Sequence, residues 1–254
     1  MVGAVTGDDV TARRANSFGP QAEAYARHRP DYPATAIRWA LAPLGPGAHR
    51  VLDLAAGTGK LTTGIVAEGH QVTAVEPDEA MLSELVRHCG GVRALPGSAE
   101  RIPVPDATVD AVLVGQAFHW FDPDRAMPEI ARVLRPGGVL AALWNSDDTS
   151  VPWVAEFGAV SGAISAAVGY AGRTVPDHAL FRDAAETTFR HTHRRTAESL
   201  VATVGTHSHT LVIPPEERQQ LLEKMLTYLR SRPETAEGEF EVPLITYVKR
   251  LIRA

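Results

Sequence analysis

Between residues 50 and 145, short apolar runs alternate with stretches whose apolar positions recur every three or four residues. Val51-Leu52-Asp53-Leu54 reads as a first strand, and Lys60 to Glu68 as the helix that follows, with Gly69 at its C′ position. Gln71 to Val75 is a second strand. Asp78 caps a helix carrying Met81, Leu82 and Leu85 on one face. Val92 to Leu95 is a weak third strand. Val109 to Val114 is a fourth, nearly all apolar, as a strand covered on both faces should be. Asp122-Pro123 opens a helix reaching Leu134, and Gly137-Gly138 turns the chain into a fifth strand, Val139 to Trp144. This alternation predicts an α/β fold with a doubly wound parallel sheet.

The flanks are less regular. Residues 1–16 are polar and aperiodic and read as a mobile tail. Phe18 to Arg29 predicts a short helix ended by Pro30 and Pro33, and Ala34 to Leu44 another, closed by Gly45-Pro46-Gly47. Beyond the fifth strand, Pro152 to Ala167, Thr196 to Val204 and Pro215 to Arg230 have helical character. Thr187 to His193 alternates like a strand. Phe240 to Ile252 is a final strand in which Pro243 suggests a bulge or an edge position. No repeat or long linker divides the chain, so one domain is expected over 1–254. Its regular part spans 17–145 and its less regular part 146–254.

Composition narrows the function classes. The chain has 254 residues, 44% hydrophobic and 22% charged, with 25 Lys plus Arg against 30 Asp plus Glu and a net charge of −5. That balance gives no global attraction to nucleic acid or anionic lipid. The nearby Arg190, Arg194 and Arg195 read as solvated surface. One cysteine, Cys89, excludes an internal disulfide framework and a cysteine-built metal site. Met1 to Asp9 has no basic region leading into an apolar stretch, and no window approaches 18 apolar residues. The expectation is a cytoplasmic protein with no membrane or nucleic-acid partner; its oligomeric state is not readable.

The segment with chemistry is Asp53-Leu54-Ala55-Ala56-Gly57-Thr58-Gly59-Lys60-Leu61, a strand entering a glycine turn that opens a helix. Such a turn brings backbone close to a ligand at the carboxyl ends of the strands, beside a helix N-terminus. Glu76 ends the second strand, 76 − 53 = 23 residues beyond Asp53, where an acid can accept both hydroxyl hydrogens of a ribose. A phosphate P-loop fails, because Leu54 occupies its first glycine position and Leu61 follows Lys60. A dinucleotide fingerprint is weakened by Thr62 at its third glycine position. The remaining alternative is a turn that only connects a strand to a helix.

These residues resemble the class I S-adenosylmethionine-dependent methyltransferases, in their small-molecule branch (trans-aconitate and quinone-biosynthesis type, methyltransferase type 11). The resemblance runs from about Phe18 to Asn145. Val51 to Gly59 is similar to the family's first motif, with Ala55 replacing its first glycine. Val75-Glu76-Pro77-Asp78 resembles the second, whose acid grips the ribose. Gly97-Ser98-Ala99-Glu100 resembles the adenine-contacting segment, where the family often has Asp instead of Ser98. Gln116 to Asp122 resembles the segment after strand four, and Leu134-Arg135-Pro136-Gly137-Gly138 the turn before strand five. The resemblance implies a Rossmann-like, mostly parallel, seven-stranded sheet with an antiparallel last strand and helical additions forming a lid, with 17–145 as the cofactor-binding part and 146–254 as the acceptor-shaping part. It implies S-adenosylmethionine as cofactor, held by Asp53, Ala55, Gly57, Gly59, Glu76, Pro77, Met81, Ser98, Ala99, Glu100 and Gln116. Tyr25 to Pro33 also looks like this branch, and by resemblance Tyr25 and Arg29 lie over the cofactor, Arg29 pairing with its carboxylate.

Methyl transfer from a sulfonium is an in-line displacement that needs alignment and, for a neutral acceptor, a base. His119, just after strand four, is the candidate for base or substrate-orienting residue; the alternative is packing against Trp120. Phe118, Trp120, Trp144 and Trp153 are either walls of an acceptor pocket or core aromatics. His191/His193 and His207/His209 alternate, but no acidic or cysteine cluster accompanies them, so no metal is assigned. The acceptor expected is a small organic molecule, methylated on oxygen, nitrogen or carbon. Two other classes stay open: S-adenosylmethionine binding without methyl transfer, and a nicotinamide-dependent oxidoreductase.

Overall fold

A computed structural model describes residues 29–162, 174–205, 210 and 213–254. The expected tail over 1–16, the helix from Phe18 up to Arg29, Tyr25, the end of the Pro152 helix past residue 162, and His207 and His209 lie outside the described residues.

One seven-stranded sheet organises the chain, in the order β3-β2-β1-β4-β5-β7-β6. The strands are β1 (Arg50–Leu54), β2 (Gln71–Glu76), β3 (Arg93–Pro96), β4 (Val109–Gly115), β5 (Leu134–Asp147), β6 (Phe181–Arg195) and β7 (Phe240–Arg253). Strands β1 to β5 pair in parallel, and β7 runs antiparallel to both β5 and β6. The sheet is the Rossmann-like one expected, its last strand alone reversed. Its order turns back between β1 and β4, and at such a switch the loops leaving adjacent strands diverge and open a crevice at the carboxyl edge.

Two layers of helix cover the sheet. On one face lie α1 (Ala34–Leu41) and α2 (Lys60–Ala67). Their Ala36, Ile37, Ala40, Leu61 and Ile65 pack on Val51, Ala111, Leu113, Ala141 and Leu143. Next to them α3 (Glu79–His88) lays Leu85 against Ala74. The Asp78 carboxylate caps α3 by accepting from the amides of Ala80 and Met81, both at 2.9 Å. The opposite face is covered by α4 (Pro123–Val133), whose Met127 and Ile130 meet Leu52, Val112, Val114 and Leu140. Three further helices, α5 (Pro152–Val160), α6 (Ala197–Gly205) and α7 (Pro215–Arg230), build a satellite core with Phe240, Val242 and Leu244 of β7.

Two boundaries differ from expectation for physical reasons. Pro243 is on neither a bulge nor an edge strand: β7 lies inside the sheet and β6 is its edge. Proline is tolerated there because β5 pairing ends at Leu244, so the missing N–H of Pro243 falls beyond that ladder. The fifth strand begins at Leu134, not Val139, because Leu134 already pairs with Val109 before the Arg135–Gly138 excursion shifts the register.

Candidate functional site

The glycine turn is built from three left-handed residues: Ala55 at φ 57°, Gly57 at φ 57° and Gly59 at φ 90°. Gly59 has no alternative: a Cβ there would stand 2.7 Å from the Cys89 sulfur and 3.1 Å from Leu85 Cγ. A Cβ at Gly57 would point into open space, so glycine there answers to the backbone conformation. Ala55 takes the left-handed form without glycine's freedom, at a cost of about 1–2 kcal/mol. The amide of Ala56 donates to the Val75 carbonyl at 3.1 Å and ties the turn to β2.

That tie brings Glu76 beneath the turn. Glu76 is 7% exposed; its Oε2 accepts from the Gly57 amide at 2.8 Å and its Oε1 from the Asp78 amide at 3.0 Å. Each oxygen keeps a further lone pair for another donor. Burial pushes the Glu76 carboxyl above the ordinary glutamate range, the two backbone donors oppose that shift, and the Asp78 charge adds to it. Asp53 is fully buried at the end of β1, where the Thr62 hydroxyl donates to its Oδ2 at 2.5 Å. Burial, only partly opposed by Thr62 and reinforced by Glu76, raises its pKa to about 7. Asp53 therefore supports the turn from inside the α2 face.

A cleft opens beside the turn. Its floor is Asp53, Ala55 to Thr58, Lys60 and Leu61; its far wall is Gly115, Gln116 and Asn145; its roof is the strap carrying Arg29, Pro30 and Tyr32. Gly115 is needed because a Cβ there would sit 2.6 Å from the Tyr32 hydroxyl. Gln116 is a second strained residue, at φ 58°, and its Nε2 donates to the Asn145 carbonyl at 2.8 Å. Tyr32, Thr58, Lys60, Leu61 and Asn145 are cleft residues that sequence reasoning did not assign to the site. Tyr32, just before Pro33, and Asn145, two residues before the end of β5, carry no local signal for such a role.

The structure brings Arg29, Asp53, Ala55, Gly57, Gly59, Glu76 and Gln116 into or directly under this cleft. Met81 and Ala99 are buried nearby, at the start of α3 and after β3, and Pro77 is exposed at the end of β2. Glu100 uses Oε1 to accept the Asp122 amide at 3.1 Å, and Ser98 bridges to Arg101. His119 sits at the carboxyl edge in a short 3-10 turn, Phe118–Trp120, exposed and tilted against Trp120 with ring centroids 4.7 Å apart.

Three of the four aromatic candidates are core residues. Phe118 and Trp144 pack on the α4 face, and Trp153 packs edge-on against Phe240 in the satellite core on the other face. Trp144 and Trp153 thus do not share a wall: Trp144 pairs with Tyr247, whose side chain points to the α4 side. Trp120 alone of the four is half-exposed. His191 and His193 share a face of β6, and among the described residues no group of three or more His, Cys, Asp or Glu could hold a metal ion. No helix among the described residues is long and apolar enough to cross a membrane.

Comparison with known proteins agrees with this geometry. Residues 52–142 match a family model described as a methyltransferase domain. The chain is 41% identical over 239 residues to an uncharacterized methyltransferase of Mycobacterium tuberculosis, covering 92% of this chain and 94% of that protein. It is also 41% identical over 104 residues to a malonyl-[acyl-carrier protein] O-methyltransferase of Methylococcus capsulatus, covering 39% of this chain and 38% of that one. A solved structure from Anaeromyxobacter dehalogenans, assigned as a type II methyltransferase, superposes with a TM-score of 0.60 at 29% identity, over 89% of this chain and 96% of the other.

Proposed function

Because the chain belongs to the class I S-adenosylmethionine-dependent methyltransferases, and is therefore an enzyme that uses this cofactor, we propose that it moves the cofactor's methyl group onto a small organic acceptor, at oxygen, nitrogen or carbon. The observation that carries this reading is the Glu76 carboxylate held against the Gly57 amide at 2.8 Å, beside the cleft under the Arg29–Tyr32 strap. The site fits a charged nucleoside. It has an acid with lone pairs to spare at the end of β2, a left-handed turn free of side chains at Gly57, and a guanidinium in the roof.

When bound, S-adenosylmethionine supplies an electrophilic methyl group on a sulfonium sulfur. Glu76 accepts the ribose hydroxyl hydrogens, and the turn Ala55 to Gly59 presents backbone to the nucleoside. Ser98, Ala99 and Glu100, with Met81 and Pro77, border the base. Arg29 would pair with the carboxylate end, and Gln116 lines the wall. His119 orients or deprotonates the acceptor from the carboxyl edge, and Trp120 offers it an aromatic face. An organic acceptor group is supported by relatives named for a demethylmenaquinone and for a malonyl group carried on acyl carrier protein, and the net charge of −5 disfavours nucleic acid.

Calorimetric titration of S-adenosylhomocysteine into the wild type and Glu76→Ala tests the nucleoside site. Loss of two charge-assisted hydrogen bonds predicts binding weaker by about 100-fold or more. Equal affinity in the two proteins would remove Glu76 from the site. Once an acceptor is found, His119→Ala is expected to lose turnover and the limb of the pH–rate profile that reports the base; unchanged turnover across pH would refute that role.

A further inference from the structure

Asn145, near the end of β5, is 7% exposed and lines the cleft, yet its side chain is engaged elsewhere. Its Nδ2 donates to the Asp31 carbonyl at 3.2 Å and to the Pro30 carbonyl at 3.5 Å, so it grips the strap from below. Its Oδ1 accepts from the hydroxyl of Thr246 at 2.6 Å. Thr246 lies directly opposite on β7 and is fully buried. The same hydroxyl stands 2.9 Å from Nε2 of His191 on the edge strand β6. A hydroxyl owns one proton, and Thr246 gives it to Asn145. His191 must therefore donate through Nε2, which holds for the neutral Nε2–H tautomer and for the charged ring alike.

The result is a directed chain of donors, His191 to Thr246 to Asn145 to the strap carbonyls, crossing three adjacent strands. Both ends demand one orientation of the Asn145 amide: an acceptor toward Thr246 and donors toward Pro30 and Asp31. The main-chain carbonyl of Asn145 also accepts from Gln116, so one residue anchors both the roof and a wall of the cleft. Tyr32 of the strap also packs against the core, and Lys60 pairs with Asp31 at 3.0 Å, where the Asp31 carboxylate is 69% exposed. A pair that exposed holds little, whereas a buried amide between satisfied partners holds its geometry.

We infer that Thr246 and His191 are positioning residues for the cofactor: through Asn145 they keep the strap, with Arg29 and Tyr32, closed over the glycine turn. This rests on the reading that the cleft holds S-adenosylmethionine. Neither residue lines the cleft.

The test titrates S-adenosylhomocysteine into wild type, Thr246→Val, Thr246→Ser and Asn145→Asp, with the urea midpoint measured for each. Valine keeps the shape of threonine and drops the hydroxyl; serine keeps the hydroxyl. Aspartate keeps the oxygen facing Thr246 and sets a second oxygen against the Pro30 and Asp31 carbonyls. Thr246→Val and Asn145→Asp are expected to bind roughly tenfold or more weakly, and Thr246→Ser within about threefold of wild type. A folded Thr246→Val protein with wild-type affinity overturns the inference. If Thr246→Val fails to fold, wild-type affinity in Asn145→Asp overturns it instead. Equal weakening in Thr246→Val and Thr246→Ser also overturns it, because the hydroxyl would then be irrelevant. No binding by wild type would instead bring down the assignment of the cleft.

Discussion

Replacing Asp53 with asparagine should change the pH dependence of stability more than any other single substitution near the turn. Asp53 is fully buried, and its pKa moves from the usual 3.8 to about 7, chiefly through burial. The sign follows directly. An acid whose folded pKa exceeds its unfolded one binds its proton more tightly when folded, so stability is fully present below pH 4 and declines as pH rises toward the folded value. Ionising Asp53 in the folded protein then costs about 4 kcal/mol once pH exceeds 7, and more than half of that decline falls between pH 5 and pH 8. Asparagine keeps an oxygen for the Thr62 hydroxyl and carries no titrating proton. Urea unfolding of wild type and Asp53→Asn at pH 5 and pH 8 reads the difference, and comparison within each pH cancels the titrating groups that do not interact with Asp53, as Glu76 does. The variant should gain about 2–3 kcal/mol on wild type between the two pH values. Parallel pH dependences would refute the reasoning and show that Asp53 is solvated or paired.

Two further substitutions test the local physics. Ala55→Gly should relieve a left-handed alanine and raise stability by up to about 1 kcal/mol in urea unfolding, with the affinity for S-adenosylhomocysteine retained; a loss of stability would show that the Ala55 methyl packs usefully. Arg132 joins Glu129 at 2.7 Å, Asp106 at 2.7 Å and the carbonyls of Ile102 and Val104, both at 2.9 Å. Arg132→Leu should therefore cost about 2 kcal/mol at neutral pH. Arg132 holds the Glu129 carboxyl below its ordinary range, so the loss should shrink as acid protonates Glu129; a loss independent of pH would refute the ion-pair account.

The parallel half of the sheet is legible in the chain because each strand is a short apolar run between a glycine turn and a capped helix. Strand β6 is harder to read. Only Thr187 to His193 alternates visibly, while its first residues are polar and pair through an irregularity between Arg182 and Ala185. Gly57, Gly59 and Glu76 announce themselves because a tight turn and an acid at a strand end are local demands. Asn145, Thr246 and His191 do not, because their meeting depends on strand register across 101 and 55 residues. Trp144 and Trp153 stay open between pocket wall and core in the sequence for the same reason: closeness in sequence does not say which face of a sheet a side chain takes.

The position of β7 bears on how the molecule assembles. Strand β5 is in place by Asp147, but its outer neighbour begins at Phe240, and Asn145 waits for Thr246, 101 positions further along the chain. Closing so long a loop is slow compared with the local β-α steps that precede it. Until then a strand whose Val139 to Trp144 are wholly buried in the finished protein presents a bare, greasy edge to other nascent chains. If β7 pairs last, the step that sets Thr246 against Asn145 is also the step that covers the open edge of β5.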